Sequence, residues 1–221
     1  MNKLKEIFHE PMNTLTHLVG AIGALIGLIY CLYLVWGTPD KMITLTIYGF
    51  AQLILYVASC LLHGVRTTHQ WNFFFNRLDH MAIFLMIAGV YTPIVYHFLD
   101  NPWRWLILGF VWLFAIVGMG FKLVNREIHG FFNASIYVLM SWGTAVPILL
   151  FFDVSELFSQ RGLGFLLGGG LVYTIGFIIY YLEKPDPWPE ILGHHEIWHL
   201  FVIGGSLFHF LFMLTEVVPL S

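Results

Sequence analysis

The chain contains seven apolar runs, each long enough to cross roughly 30 Å of hydrocarbon as a helix of about 20 residues. The predicted spans cover residues 14–36, 42–64, 79–98, 104–122, 130–150, 163–182 and 195–215. Only 10% of the 221 residues are charged, whereas a soluble domain carries roughly 25%. The sequence therefore predicts an all-α integral membrane protein, a seven-transmembrane helix bundle that forms a single domain.

The polar break at residues 65–78 is the hardest to interpret, because it mixes His69, Trp71, three phenylalanines and Arg77. A mixture of aromatic and basic residues is typical of the membrane interface. We predict an interfacial loop here, or a short helix that lies along the membrane surface.

Lysines and arginines are unevenly distributed between the two ends of the predicted bundle. Seven fall on the side of the N-terminus: Lys3, Lys5, Arg66, Arg77, Lys122, Arg126 and Lys184. Three fall on the other side: Lys41, Arg104 and Arg161. The positive-inside rule therefore predicts a cytoplasmic N-terminus, and seven spans then place the C-terminus outside. The net charge of −3 is small, and no basic run indicates nucleic-acid binding.

Four polar side chains fall at the same cytoplasmic edge in this topology. His63 ends the second span, Asp79 begins the third, and His195 and His199 begin the seventh. The last two are four residues apart, so they share one helical face. Three histidines with an open fourth position are typical of a catalytic zinc site. Asp79 would bind a metal-held water, orient it or act as a general base, with Ser59 one turn deeper than His63.

Residues 195–199 also match the zinc-protease pattern H-E-x-x-H. A protease of that type needs a third ligand downstream. Glu216 would lie about 26 Å and His209 about 15 Å further along a continuous helix, so neither reaches the same metal. We therefore interpret Glu196 as a bystander.

A second polar group, Glu10, Asn13 and His17, borders the same predicted layer. The favoured interpretation is structural: Asn13 or Thr14 caps the first helix and the other side chains make polar contacts between helices. The alternative is that this group orients a metal ligand.

Three spaced motifs occur in order along the chain: Glu10-x-x-Asn13-x-x-Thr16-His17, Ser59-x-x-x-His63 followed by Asp79, and His195-x-x-x-His199. They resemble the signature motifs of the progestin and adiponectin receptor superfamily. The short chain resembles its bacterial haemolysin III branch. This resemblance implies seven helices with the N-terminus inside, in a bacterial plasma membrane. It also implies zinc (Zn²⁺) held by the three histidines, with Asp79 near the zinc through a water and Ser59 beside them.

Related alkaline ceramidases use a similar centre to cleave a lipid amide. The resemblance thus leads to the hypothesis of a zinc-dependent hydrolase of a lipid amide or ester, with Asp79 and Ser59 as catalytic residues. Asp79 would take a proton from the attacking water, and Ser59 would help to hold the oxyanion. One alternative is a non-enzymatic regulator or sensor of membrane state with structural zinc. Another is a haemolysin or channel, which no pore-lining row of charges supports.

Overall fold

The computed structural model describes residues 2–124, 131–188 and 191–220. Arg126 lies outside the described residues, as do the side chains of Lys3 and Lys5. The described helices are α1 Asn2–Ile7, α2 Pro11–Leu34, α3 Pro39–Gly64, α4 His69–Phe98, α5 Trp103–Val124, α6 Phe131–Phe151, α7 Val154–Leu157, α8 Gln160–Leu182 and α9 His194–Phe212. A π-helix, Met213–Val217, continues α9. No β-strand occurs in these ranges, so the predicted all-α class is confirmed.

Each of the seven predicted spans coincides with a long helix. Six of these helices are long and apolar enough to cross a membrane: α2, α3, α4, α5, α8 and α9 with its π-helical extension. The described apolar part of α6, Ser135–Phe151, is shorter. The protein is therefore a multi-pass helical membrane protein. Large apolar side chains such as Val19, Ile26 and Leu113 are 61–65% exposed on the outer faces, where lipid replaces water.

The prediction of an interfacial loop at residues 65–78 is wrong. Only residues 65–68 are non-helical, and α4 runs without interruption for 30 residues from His69 to Phe98. No glycine or proline interrupts residues 69–78, so nothing there stops a helix. A helix of this length is about 45 Å long, longer than the hydrocarbon layer. Helix α4 is therefore longer than the hydrocarbon layer is thick, and near its start Arg77 lies over the ring of Phe73.

The core is centred on α3, which packs between α2 and α4, while α9 packs against α8 and α2. Close approach of α3 and α4 depends on Gly89, because a Cβ there would lie 2.5 Å from that of Ala51. This arrangement brings three helix ends to one edge of the bundle: the start of α2, the end of α3 and the start of α9.

The segment before α2 is tied to the end of α3 by backbone hydrogen bonds. The Glu10 N–H donates to the His63 carbonyl at 2.8 Å, and the His9 N–H donates to the Gly64 carbonyl at 3.2 Å. Helix α2 begins at Pro11, because proline favours the first helical position. The prediction that Asn13 or Thr14 caps this helix is therefore wrong, since both lie inside its first turn.

Candidate metal centre

Three of the predicted side chains, His63, His195 and His199, meet at this edge of the bundle. One ring nitrogen from each lies within 4.8 Å of the others. His63 and His199 are buried, and His195 is partly buried. Two of the rings come from adjacent turns of α9 and the third from the last turn of α3. The cluster could hold a metal ion, and it would then join two helices that are far apart in sequence.

The spacing of one pair of these nitrogens is compatible with a shared tetrahedral metal. The Nε2 atoms of His63 and His195 are 3.3 Å apart. Two nitrogens bound to zinc at about 2.0–2.1 Å with tetrahedral angles are separated by about 3.3 Å. Two facing imidazole nitrogens at this distance gain little from each other unless a proton or a cation lies between them. Three imidazoles suit zinc, although the same donors also suit other transition metals.

A carboxylate sets the orientation and tautomer of His63. The Nδ1 atom of His63 lies 2.6 Å from Oε2 of Glu10. A carboxylate oxygen only accepts, so we assign the proton to Nδ1, which leaves the Nε2 lone pair directed at His195. The hydrogen bond from His63 is the main cause that lowers the pKa of Glu10 to about 2, and Asn13 Nδ2 donates to the same oxygen at 2.9 Å.

The backbone of α2 orients His199 in the same way. Its Nδ1 lies 3.2 Å from the carbonyl oxygen of Asn13 and 3.1 Å from Oγ1 of Thr16. The single proton of the Thr16 hydroxyl is already shared between the carbonyls of Met12 and Asn13. Both neighbours are therefore acceptors, the proton belongs on Nδ1, and Nε2 is free to face the cluster.

The first turns of α2 thus orient two of the three clustered histidines. This supports the alternative interpretation of the Glu10 group rather than the favoured structural one. His17 also contacts the cluster: its ring stacks on that of His199, with ring centroids 3.6 Å apart and an interplanar angle of 9°. Sequence reasoning assigned no contact to Thr16. The sequence did carry a sign of this contact. Intervals of three or four residues place Glu10, Asn13, Thr16 and His17 on one helical face.

Asp79 and Ser59 lie beside the histidines on the side of α4. Asp79 is partly buried, and its carboxyl interacts with His63 and faces the hydroxyl of Ser59. Ser59 is 1% exposed, yet its Oγ has no hydrogen-bond partner of normal geometry within the described ranges. A buried hydroxyl in this position can donate to the neighbouring carboxyl or to an oxygen of a bound molecule.

Glu196 has a different task from the one that the H-E-x-x-H pattern indicates. Its Oε2 accepts a hydrogen bond from the Gly193 N–H at 2.9 Å and so satisfies the backbone at the start of α9. His209 and Glu216 lie further along the same helical segment and do not belong to the histidine cluster. The interpretation of Glu196 as a bystander is consistent with this geometry.

Fold and site together define a multi-pass helical membrane protein with a buried three-histidine cluster. The sequence matches the family described as "Haemolysin-III related" over residues 5–210. The chain therefore belongs to the haemolysin-III related family, which confirms the resemblance noted from the motifs.

Relatives of similar length support this assignment. "Hemolysin-3" of Bacillus cereus is 34% identical, and the alignment covers 99% of this chain and 97% of that protein. "Hemolysin-3 homolog" of Bacillus subtilis (strain 168) is 32% identical, with 97% and 99% covered. The human "Monocyte to macrophage differentiation factor" is 26% identical, with 92% and 82% covered.

Substituting Glu10→Gln should weaken metal binding without removing a ligand. The amide offers a neutral acceptor to His63 Nδ1 and no longer raises the basicity of the ring, which lowers affinity by about 10- to 100-fold. Competition with a chromogenic zinc chelator measures the change. The matched control is Glu6→Gln, at an exposed glutamate of α1. Equal affinities in the two variants would contradict the role given to Glu10.

Proposed function

We propose that the protein is a zinc-dependent hydrolase of a lipid amide or ester. The observation that carries this proposal is the convergence of His63, His195 and His199 beside a carboxyl and a buried hydroxyl. A purely structural zinc site is usually closed by four protein ligands, whereas three leave a position open.

The proposed setting is a bacterial plasma membrane, with seven spans and the N-terminus in the cytoplasm. The seven-to-three distribution of basic residues supports this orientation, and α6 would supply the seventh span. The metal centre would then lie at the cytoplasmic interface, the depth at which lipid amides and esters occur. Fluorescent-protein and alkaline phosphatase fusions test this: phosphatase activity at the N-terminus, or fluorescence at the C-terminus, would contradict it.

Each residue has a defined task in this hydrolysis. The three histidines would hold the zinc, which would supply a Lewis acid for activating water and a carbonyl. Asp79 accepts the proton of the attacking water and later returns it to the leaving group. The Ser59 hydroxyl donates a hydrogen bond to the carbonyl oxygen as negative charge develops there. Glu10, Asn13 and Thr16 keep the imidazoles in the binding tautomer.

Substituting Asp79→Asn should abolish turnover and leave zinc bound, because the amide cannot accept the proton. Loss of a general base lowers the rate by about 100-fold or more. Released fatty acid is measured by mass spectrometry from a long-chain ceramide and from phosphatidylcholine in mixed micelles. The matched control, Asp100→Asn, changes an exposed aspartate beyond the far end of α4.

Undiminished turnover in Asp79→Asn would rule out the general-base role. Absence of hydrolysis of either lipid by the zinc-loaded protein would favour the second candidate function, a regulator of membrane state with structural zinc. The observation that favours this second function is that the ligands join α3 to α9 while α2 contacts both. Zinc removal would then lower thermal stability although no lipid is cleaved.

A further inference from the structure

A set of buried and partly buried polar side chains continues from the histidine cluster into the middle of the bundle. It consists of Gln52 and Tyr56 on α3, Tyr173 on α8, and Ser206 and His209 on α9, and we call it the inner polar row. Ser206 lies seven residues beyond His199, which is about 10 Å deeper along the helix. Polar side chains at this depth are costly in a membrane protein and are a default sign of function.

Ser206 is the centre of the row. The Tyr56 hydroxyl donates to Ser206 Oγ at 2.7 Å, and Ser206 Oγ donates to Oε1 of Gln52 at 2.9 Å. The Tyr173 hydroxyl lies 2.8 Å from the same Oγ. Since Ser206 gives its only proton to Gln52, both tyrosines donate to it. One hydroxyl therefore links three helices in a continuous chain of hydrogen bonds.

The row also has unused donors and acceptors at both ends. Nε2 of Gln52 and Nδ1 of His209 are buried with no partner among the described residues. Leaving such an atom unpaired is destabilising, and an internal water is the usual way to satisfy it. Towards the metal centre, the His17 ring contacts Tyr56 edge-on, and neither of its nitrogens has a partner in the described chain.

Neighbouring glycines make room for the rings of the row. A Cβ at Gly20 would lie 2.5 Å from the Tyr56 ring, and one at Gly169 would lie 2.6 Å from the His209 ring. Even alanine would displace these side chains. Helices α2 and α8 are therefore shaped around polar rings rather than closed over them with apolar side chains.

An aromatic plug closes the far end of the row. Phe98, Phe158 and Phe212 are packed with ring centroids 4.9–5.9 Å apart. Phe212 is fully buried and lies three residues after His209, on the adjacent turn of α9. Beyond the plug, an open depression of about 740 Å³ carries polar side chains, including Ser159, Arg161 and Glu216.

We propose that the inner polar row is a proton pathway that the aromatic plug keeps closed. Hydroxyl groups and the waters that satisfy Gln52 and His209 pass protons by exchanging hydrogen bonds, and intramembrane polar chains serve this purpose in proton relays. Three packed rings exclude water and so interrupt the chain, as hydrophobic constrictions do in gated pores. The ligand of this second site is the hydrated proton, and transfer along it is independent of lipid hydrolysis.

Proton flux into proteoliposomes tests the proposal. A pH-sensitive dye is enclosed, and a potassium gradient with valinomycin drives protons inward. Phe212→Ala should raise the rate about tenfold or more over wild type, because removing the ring lets water through the constriction. Adding Ser206→Ala should return the rate to the wild-type value, since the row loses its central hydroxyl. Phe110→Ala, at a 51% exposed phenylalanine of α5, is the matched control.

Two results would overturn the proposal. One is a flux in Phe212→Ala no higher than in Phe110→Ala. The other is a high flux that persists in the double variant, which would indicate general leakage rather than transfer along the row. Phe158 contributes another ring to the plug but does not belong to α9, and Phe158→Ala should also raise the flux. It replaces Phe212→Ala if that variant does not purify as a folded protein.

Discussion

The hydrogen bond from His63 to Glu10 is the contact on which the arrangement of the site depends. It fixes the proton on Nδ1 of a buried imidazole and leaves Nε2 directed at His195. It also ties the start of α2 to the end of α3, where the Glu10 N–H meets the His63 carbonyl. The same first turns of α2 hold His199 through the Asn13 carbonyl. One short stretch of chain therefore determines both how the helices meet and which nitrogens face inward.

The membrane explains why this contact matters so much. In lipid, buried polar groups must find partners inside the bundle, because no water reaches them from outside. The row of Tyr56, Ser206 and Gln52 satisfies most of its hydrogen bonds internally. Among the unpaired atoms that remain, those of His17 and Ser59 lie near the histidine cluster, and those of Gln52 and His209 belong to the row. The histidine cluster and the row thus lie together where α2, α3, α8 and α9 meet.

Much of the fold could be predicted from the sequence, because the period and length of apolar runs directly reflect the thickness of a bilayer. The residues at which helices begin and end are harder to predict from hydropathy. Residues 69–78 are polar and aromatic, and hydropathy alone does not separate a helix that extends past the membrane core from a surface loop. The start of α2 was misplaced because the fixed φ of Pro11 outweighed the capping preference of Asn13.

The site was predictable only in part. The i,i+4 spacing of His195 and His199 and the shared edge with His63 indicated the cluster, which the fold brings together. The contacts that Thr16 and the Asn13 carbonyl make with His199 depend on how α2 packs against α9. That packing cannot be predicted from a single sequence. The inner polar row was missed for the same reason, since its five members come from three helices and follow no local motif.

Metal content of the purified protein tests the central claim most directly. Inductively coupled plasma mass spectrometry is applied to wild type and to a variant with His195→Ala and His199→Ala, both expressed in metal-replete medium and purified without chelators. The account predicts about one zinc per chain in wild type and none in the folded variant. Wild-type protein without metal, or a variant that retains zinc, would contradict it.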